Sequence, residues 1–351
     1  MNDLVINQLS ETQVLSSYNF ARNCNIVFSE IVTRQQYEYL KTEYTKIIKE
    51  DANYIFYLNT RLLLKDNDII FTNTYFVEKL FYELKKIKNI GNLRIVVSQS
   101  DKSLSKRVFN KKPDSVDKVY STNVSHKDTN LIPIPLGLAN YYSPKNLFKE
   151  HFLKLGTNEM KVDSVYVNFE VNTNFIHRYF LLNSLKAKPN FIIENKKLEI
   201  DEYLLKLNRY KFVICPLGNG IDTHRIWETL YSGSIPVVLD KITFECLDGL
   251  PVIKLKSFKR LSIDKILEES KKINQNINSE KLNFDYWNKI INLKNEKNSN
   301  KEFYEIHLNF KEYELYLNKV QNRERFIKNY KTYLRKSILK IANVYNFIGI
   351  I

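Results

Sequence analysis

Short apolar runs alternate with amphipathic stretches along most of this chain. Runs of strand-forming residues bounded by turn signals predict buried strands. These strands are expected at residues 24–28, 54–58, 69–71, 93–98, 131–136, 164–169, 191–193, 212–215, 235–239 and 252–254. Helical spacing of apolar residues predicts helices after Thr33 with a stripe from Tyr37 to Ile48, and at residues 76–84, 175–185 and 199–207. This alternation predicts parallel sheets covered by helices on both faces.

A polar, basic stretch without a clear period, residues 141–162, separates two alternating halves. It predicts an N-terminal domain at 1–150, a second domain at 151–300 and a tail at 301–351. The chain has 351 residues, of which 44% are hydrophobic and 26% charged, so two soluble α/β cores fit its length. If the domains are doubly wound and face a cleft, a ligand is expected at the carboxyl ends of their strands.

Residues 211–240 carry the most chemical information, because they predict a strand, a glycine loop, a helix and a second strand. The loop breaks the strand at residues 216–220, Asp222 or Thr223 can cap the helix, and Gly233 suits its end. Glycines let backbone N–H groups approach an anion closely, and a helix start adds partial positive charge. The segment therefore predicts a diphosphate site.

Arg225, Glu228 and Ser232 share one face of this predicted helix, whereas Ile226 and Leu230 point toward the sheet. Arg225 can pair with phosphate oxygens, and Glu228 can accept hydrogen bonds from ribose hydroxyls. The alternative is a surface ion pair between Arg225 and Glu228, with glycines that only turn the chain. The loop is neither a dinucleotide-binding fingerprint nor a Walker loop.

The segment GNGIDTHRIWETLYSGSIPVV, residues 218–238, resembles the C-terminal nucleotide-sugar-binding motif of exostosin-like glycosyltransferases and their bacterial and giant-virus relatives. Residues 68–74, 96–101, 120–123, 132–140 and 167–178 resemble other parts of that family. The similarity runs from about residue 25 to about residue 255. It departs at Gln99, where the family has a histidine, and this puts a histidine base at that position in doubt.

The resemblance implies a GT-B-like fold of two Rossmann-like domains facing a cleft, with a basic helical segment at the C-terminus. It also implies transfer of a sugar from a nucleoside-diphosphate sugar to a glycan or lipid-linked glycan, as in capsule or lipopolysaccharide synthesis. The implied donor-site residues are Asn168, Asn172, Arg178, Gly218, Asn219, Gly220, Asp222, His224, Arg225 and Glu228. The alternative is a noncatalytic scaffold that binds a nucleotide sugar or glycan in a glycan-assembly complex.

Inversion of the sugar would also need a base for the acceptor hydroxyl, and Asp101 at the end of an N-terminal strand is the leading candidate. Its alternative role is to cap a helix over residues 102–107. Glu30 and His126, each in a predicted loop, are further candidates, whereas a retaining enzyme needs no such base. Residues 66–68 read D-N-D, which holds a metal in one glycosyltransferase class, but between two apolar runs they predict a turn. No metal or other cofactor is therefore expected.

The net charge of +15 is concentrated near the C-terminus, where residues 321–351 hold seven basic and one acidic side chain. Apolar residues interleave with these charges, among them Phe326, Tyr330 and Tyr333. This tail is expected either to lie on an anionic membrane surface or to pack back with a solvated basic face. Nucleic-acid binding is not expected, because the sequence holds no recognised nucleic-acid motif.

Three cysteines lie in or beside apolar runs, which predicts buried free thiols rather than disulfides or a metal site. The first 30 residues lack a basic start followed by an apolar core, and no run of 18 apolar residues occurs. These features predict a cytoplasmic protein, peripheral at the inner face of the membrane if the tail binds there.

Overall fold

The structure is a computed structural model that describes residues 4–143, 145–155, 160–273, 277–293 and 302–348. Its strands are β1 (Ile26–Val27), β2 (Ser29–Val32), β3 (Thr45–Glu50), β4 (Ile55–Asn59), β5 (Arg61–Leu64), β6 (Ile69–Asn73), β7 (Leu93–Ser98), β8 (Val116–Ser121), β9 (Leu131–Pro133), β10 (Val162–Val167), β11 (Phe191–Ile193), β12 (Tyr210–Ile214), β13 (Ile235–Leu239), β14 (Ile253–Leu255) and β15 (Tyr304–His307). Its α-helices are α1 (Ser17–Arg22), α2 (Arg34–Leu40), α3 (Val77–Leu84), α4 (Lys106–Phe109), α5 (Lys149–Phe152), α6 (Phe175–Leu185), α7 (Ile200–Arg209), α8 (His224–Tyr231), α9 (Ile263–Lys271), α10 (Phe284–Asn292) and α11 (Phe310–Ile348).

Two five-stranded parallel sheets form the framework and confirm the predicted α/β class. The N-terminal sheet has the order β1-β6-β7-β8-β9, so its strands follow one another as they do in the chain. The C-terminal sheet has the order β11-β10-β12-β13-β14, which reverses direction between β10 and β12. The carboxyl ends of two strands whose connections leave in opposite directions open a crevice, which is where such sheets bind ligands. The C-terminal sheet therefore has a switch point that the N-terminal sheet lacks.

The N-terminal half carries additional antiparallel strands. Strands β2, β4 and β3 form a three-stranded sheet, and β5 pairs with β15. The prediction of one helical stripe from Tyr37 to Ile48 is wrong beyond Leu40, because α2 ends there and residues 45–50 form β3. The β-branched residues of this segment favour a strand, and pairing with β4 satisfies its backbone.

One hydrophobic core extends through both halves. It contains Phe71 and Val96 of the N-terminal sheet together with Val213 and Val238 of the C-terminal sheet. Helix α10 crosses back to the N-terminal half, where the ring of Phe284 lies 5.1 Å from that of Phe20 in an edge-on contact. In the same region Arg94 Nη1 donates to the carbonyl of Ile291 at 2.7 Å. Helix α10 therefore joins the C-terminal half to the N-terminal half.

The C-terminal segment is a helix, as predicted, and its first turns pack against the N-terminal half. Tyr313 and Leu317 of α11 are buried there, and the Tyr313 hydroxyl donates to Glu83 Oε1 at 2.9 Å. Further along, the Arg335 guanidinium lies 5.3 Å from the ring centroid of Phe175 in α6. Helix α11 thus runs from one half to the other. The domain limits at residues 150 and 300 stay a prediction, since β15 and α10 both contact the N-terminal half.

No described helix is both long enough and apolar enough to cross a bilayer. The three cysteines are unpaired, with Cys215 and Cys246 buried and Cys24 half-buried. This agrees with the prediction of free thiols.

Candidate active site

The glycine loop after β12 lies at the switch point of the C-terminal sheet, between the ends of β10 and β12. A Cβ on Gly220 would lie 3.2 Å from the Asp101 carbonyl oxygen and 3.3 Å from Asn123 Nδ2, so a side chain here would crowd the contact between the loop and the N-terminal half. The Gly218 N–H donates to the Gly220 carbonyl at 3.0 Å. That amide is used within the loop and is not directed at a ligand in this conformation.

Arg178 of α6 is buried beside the loop and is held by backbone carbonyls. Its guanidinium donates to the carbonyl oxygens of Leu217 at 2.8 Å, Glu170 at 2.7 Å and Pro216 at 3.1 Å. Desolvation, reinforced by the positive charge of Arg225, lowers the pKa of Arg178 to about 10. The two arginines are therefore close enough for their charges to repel.

Arg225, in the first turn of α8, is held by Tyr203 of α7. Its Nη1 donates to the Tyr203 hydroxyl at 3.1 Å, and its guanidinium lies 5.4 Å from the centroid of the same ring. The Tyr203 hydroxyl in turn donates to Glu228 Oε2 at 2.8 Å. The alternative of a direct surface ion pair between Arg225 and Glu228 is therefore wrong, because a tyrosine lies between them and Glu228 is buried.

Glu228 is directed into the protein. Besides Tyr203, its carboxylate accepts from the backbone N–H of Leu147 at 3.5 Å, and the whole residue is buried. Contact between this carboxylate and a ribose stays a prediction, and it would require the segment around Leu147 to rearrange.

The other predicted polar residues of the C-terminal edge surround the loop. Asn168 directly follows β10 and donates to the Tyr166 hydroxyl at 3.0 Å. Asn172 is exposed in the 3-10 turn Val171–Asn174, whose last residue donates from Nδ2 to the Gly218 carbonyl at 3.2 Å. Asn174 was missing from the predicted site, although it lies in the segment that carried the resemblance.

Thr223, the residue before α8, has a side-chain hydroxyl that is not hydrogen-bonded within the described part of the protein. Its Oγ1 is buried and has no hydrogen-bond partner among the described residues. Its methyl group lies beside Gly218, where it would be 3.2 Å from an added Cβ. A buried hydroxyl without a partner is uncommon and costs free energy. This hydroxyl lies at a helix start next to two arginines, where it could donate a hydrogen bond to a bound anion.

Asp222 connects the two halves. Its carboxylate accepts from the Leu136 N–H at 3.0 Å and from the Trp227 indole N–H at 3.0 Å. Desolvation raises the pKa of Asp222 to about 7, against these hydrogen bonds. Its predicted contact with a sugar donor stays a prediction, because both carboxylate oxygens are already engaged.

Asn123 makes a second connection between the halves, and it was quoted in the resemblance but not predicted as a site residue. Its Oδ1 accepts from the N–H groups of Ile221 at 3.0 Å and Asp222 at 2.9 Å, while Nδ2 donates to the Ser100 carbonyl at 3.2 Å. This amide fixes the glycine loop to the end of the N-terminal sheet. The carboxyl edges of the two parallel sheets, which were predicted to face each other, are in contact here.

Asp101 and His224 meet across this contact. Desolvation raises the pKa of the Asp101 carboxyl, while the nearby His224 and a hydrogen bond from Asn219 lower it. His224 Nδ1 lies 2.8 Å from the Gly137 carbonyl; a carbonyl only accepts, so Nδ1 carries the proton and Nε2 is left as the acceptor in the neutral ring. The alternative role of Asp101 as a helix cap is wrong, because α4 begins later and Ser105 caps it.

The other base candidates lie elsewhere. Glu30 is in strand β2 and not in a loop, so that prediction is wrong; it is fully buried, pairs with Arg22 and accepts from the Tyr57 hydroxyl at 2.9 Å. Desolvation raises the pKa of Glu30 to about 7. His126 is in a loop, as predicted, and packs edge-on against Phe109 at 5.3 Å, with its pKa lowered by burial.

The N-terminal half also shows what Gln99 and residues 66–68 contact. The Gln99 side chain accepts from the Ile31 N–H at 2.7 Å and donates to the Ile31 carbonyl at 3.0 Å, so it fastens β2 to the end of β7. Residues 66–68 form the predicted turn. Asp66 accepts from the Gly91 N–H at 2.8 Å and Asp68 from the Lys65 N–H at 2.8 Å.

A cavity of about 200 Å³ lies in the N-terminal half. Tyr18, Asn140, Tyr141 and Phe148 are among the residues that line it. Asn140 donates to the hydroxyl of Tyr142, and the charges of both Glu30 and Asp101 influence the pKa of Tyr142. Another cavity of about 240 Å³, between α3 and α11, is remote from the glycine loop.

Residues 176–290 match the family model of the RXYLT1 C-terminal domain. This segment contains the glycine loop and both arginines, and the match supports a glycosyltransferase family for this part of the chain. A structure entitled "Crystal Structure of alpha1,3-Fucosyltransferase" is similar over 66% of this chain and 80% of that chain, with 14% sequence identity and a TM-score of 0.33. A TM-score this low supports no inference. No curated protein matches the chain significantly.

Proposed function

We propose that the protein is a glycosyltransferase that moves a sugar from a nucleoside-diphosphate sugar to a glycan or lipid-linked glycan of a surface polysaccharide such as capsule or lipopolysaccharide. The observation that carries this proposal is the pair Arg178 and Arg225 at the switch point. Both side chains are desolvated, and the charge of Arg225 lowers the pKa of Arg178. Neither forms a direct ion pair with a carboxylate in the described part of the chain, and Glu228, which raises the pKa of Arg225, is separated from it by the Tyr203 hydroxyl. A bound diphosphate would neutralise both charges.

The chemistry assigned to this half is stabilisation of the leaving group. As the glycosidic bond to the donor breaks, negative charge collects on the nucleoside diphosphate, and preorganised cations stabilise it. The start of α8 adds partial positive charge, and Thr223 Oγ1 adds a hydrogen-bond donor. In this proposal the protein's own groups balance the charge, and a metal is not needed.

Asp101 is proposed as the base if the enzyme inverts the sugar. Its carboxyl comes from the N-terminal half and meets Asn219 and His224 of the C-terminal half, so it lies where acceptor and donor would join. Partial desolvation raises its proton affinity, which favours taking a proton from the acceptor hydroxyl. The cavity lined by Tyr18, Tyr141 and Phe148 is proposed to hold the acceptor, because aromatic faces suit sugar rings. This assigns donor and acceptor to different halves.

A thermal-shift panel of uridine, guanosine and cytidine diphosphates and their sugars tests the proposal. One nucleotide series should raise the melting temperature by roughly a few degrees at saturating concentration, because ligand that binds only the folded state stabilises it by mass action. Arg225→Ala should lose this shift, whereas Arg209→Ala, at an exposed arginine of α7, should retain it.

Hydrolysis of the donor separates an enzyme from a scaffold. A glycosyltransferase should slowly release nucleoside diphosphate from the sugar nucleotide that shifts the melting temperature, and the noncatalytic alternative should bind without release. If no nucleoside diphosphate raises the melting temperature of the wild-type protein, the proposed donor site is wrong.

A further inference from the structure

Helix α11 presents a line of large apolar side chains to solvent. The exposed fractions are 62% for Leu315, 74% for Phe326, 57% for Tyr330 and 68% for Tyr333. Their spacings of eleven, four and three residues place them along one face of a helix. We call these four residues the outer stripe. Tyr313 and Leu317, which hold α11 on the N-terminal half, point to the opposite side. The outer stripe is therefore not needed for that packing.

Basic side chains flank the outer stripe on both sides. At 100° per residue, Arg323 and Lys331 fall on one flank and Arg325 and Lys336 on the other. All four are exposed, and none forms an ion pair within the described residues. Seven basic residues against one acidic residue from 321 onward leave the helix strongly positive. Such a helix face fits a partner whose outer layer is anionic and whose interior is apolar.

The position of α11 relates this surface to the candidate active site. Arg335 contacts the ring of Phe175, the first residue of α6, and α6 also carries Arg178. On α6, Ile176, which directly follows Phe175, is exposed, and so is Phe180. Arg335 follows Leu317 by about five full turns and so lies on the face opposite the outer stripe, which leaves α6 on the inner side of α11 and the outer stripe facing away from it.

We propose that α11 binds the surface of an anionic lipid bilayer, with the outer stripe at the level of the headgroups and the flanking cations on lipid phosphates. Aromatic residues such as tyrosine favour the membrane interface, and each basic residue near an anionic surface adds attraction. A second copy of the chain fits less well, because two such helices would bring like charges together. The proposal does not depend on the glycosyltransferase assignment, although it suits an enzyme with a lipid-linked acceptor.

Co-sedimentation of the full chain with vesicles tests this. The wild type should bind vesicles of phosphatidylcholine mixed with phosphatidylserine, bind phosphatidylcholine alone weakly, and dissociate as salt screens the charges. The triple variant Phe326→Ser, Tyr330→Ser, Tyr333→Ser should bind at least about tenfold more weakly. Arg323→Glu combined with Arg325→Glu and Lys331→Glu should remove the preference for phosphatidylserine.

A matched control is Tyr39→Ser combined with Leu153→Ser, which removes exposed apolar side chains far from α11 in sequence and should bind as the wild type does. Circular dichroism checks that each variant is folded. The proposal is overturned if the wild type stays in the supernatant with both vesicles, or if the stripe variant binds like the wild type. It is also overturned if the stripe variant changes only the oligomeric state in ultracentrifugation. The stripe variant should keep any nucleotide-induced thermal shift, so failure here is distinct from failure of the donor site.

Discussion

The carboxyl edges of the two parallel sheets carry different polar chemistry. At the C-terminal edge, Arg178 and Arg225 are desolvated cations held by carbonyls and a hydroxyl, so they retain charge for a ligand. At the N-terminal edge, Gln99 and Asn123 use their amides to fix neighbouring backbone. Only the C-terminal sheet reverses its strand order at this edge. The half with the switch point therefore holds two cations that make no direct ion pair, and the other half supplies amides that fix the surrounding backbone.

The largest effect is expected from Arg225→Ala, which removes one of the two cations at the C-terminal edge. Loss of charge-assisted hydrogen bonds to a diphosphate should cost on the order of 2–4 kcal/mol in the transition state, which is roughly a 30- to 1,000-fold loss of transfer rate. The measurement is initial rate with the donor identified by thermal shift, with Arg209→Ala as the matched control. An unchanged rate for Arg225→Ala in a folded protein would reject the donor site.

Asp222→Ala tests whether this residue is a connection between the halves. The substitution leaves the Leu136 N–H and the Trp227 indole N–H buried without an acceptor, so the free energy of unfolding should fall by about 2–3 kcal/mol. Urea denaturation measures this, and Asp240→Ala at an exposed position is the control. An unaltered midpoint of unfolding would show that the connection contributes little.

Glu30 in the N-terminal half and Asp222 in the C-terminal half are buried carboxyls whose pKa is raised to about 7, so single substitutions are needed to separate their contributions to the pH dependence of stability. Between about 4.5 and 7 the folded state holds a proton on Glu30 that the unfolded state has released. The contribution of Glu30 to the free energy of unfolding therefore decreases as pH rises through this range.

Glu30→Gln should remove this decrease, which is on the order of 3 kcal/mol, so that the difference in free energy of unfolding between variant and wild type changes across this window and is constant above it. Denaturation at a series of pH values measures it, and Asp222→Asn is the counterpart in the other half. A difference that does not vary with pH would contradict the assigned pKa of Glu30.

The smallest effect is expected from Gln99→Ala. It removes the two hydrogen bonds to Ile31 that join β2 to the end of β7, and about 1 kcal/mol of stability should be lost. Transfer activity should change little, since Gln99 does not contact the glycine loop. Gln35→Ala, at an exposed glutamine of α2, is the control for loss of a glutamine side chain. A large loss of activity with unchanged stability would place Gln99 in the reaction.

Much of the fold was predictable because its signals are local. The apolar run before the glycine loop, the loop itself and Gly233 set β12, α8 and β13 to within a few residues, and Gly233 has the positive φ of 73° expected at a helix end. β3 was mistaken for helix because Tyr44, Ile47 and Ile48 also satisfy helical spacing. Its strand conformation depends on pairing with β4, which no local pattern shows.

The site was predictable in type but not in its connections. Sequence pointed to Arg178 and Arg225 at one loop and to Asp101 opposite. It did not show that Tyr203 would hold Arg225, or that Asp222 would be engaged by Trp227 and Leu136, because these contacts depend on how separate segments dock. The buried hydroxyl of Thr223 was likewise visible only once its surroundings were known.

The hydrophobic interior common to both sheets, together with the return of α10, has a thermodynamic consequence. Neither half can melt without exposing apolar surface that belongs to the other, so differential scanning calorimetry should show a single cooperative endotherm. Any movement of one half relative to the other during a catalytic cycle would then have to be small, because a wide opening would expose this common hydrophobic core.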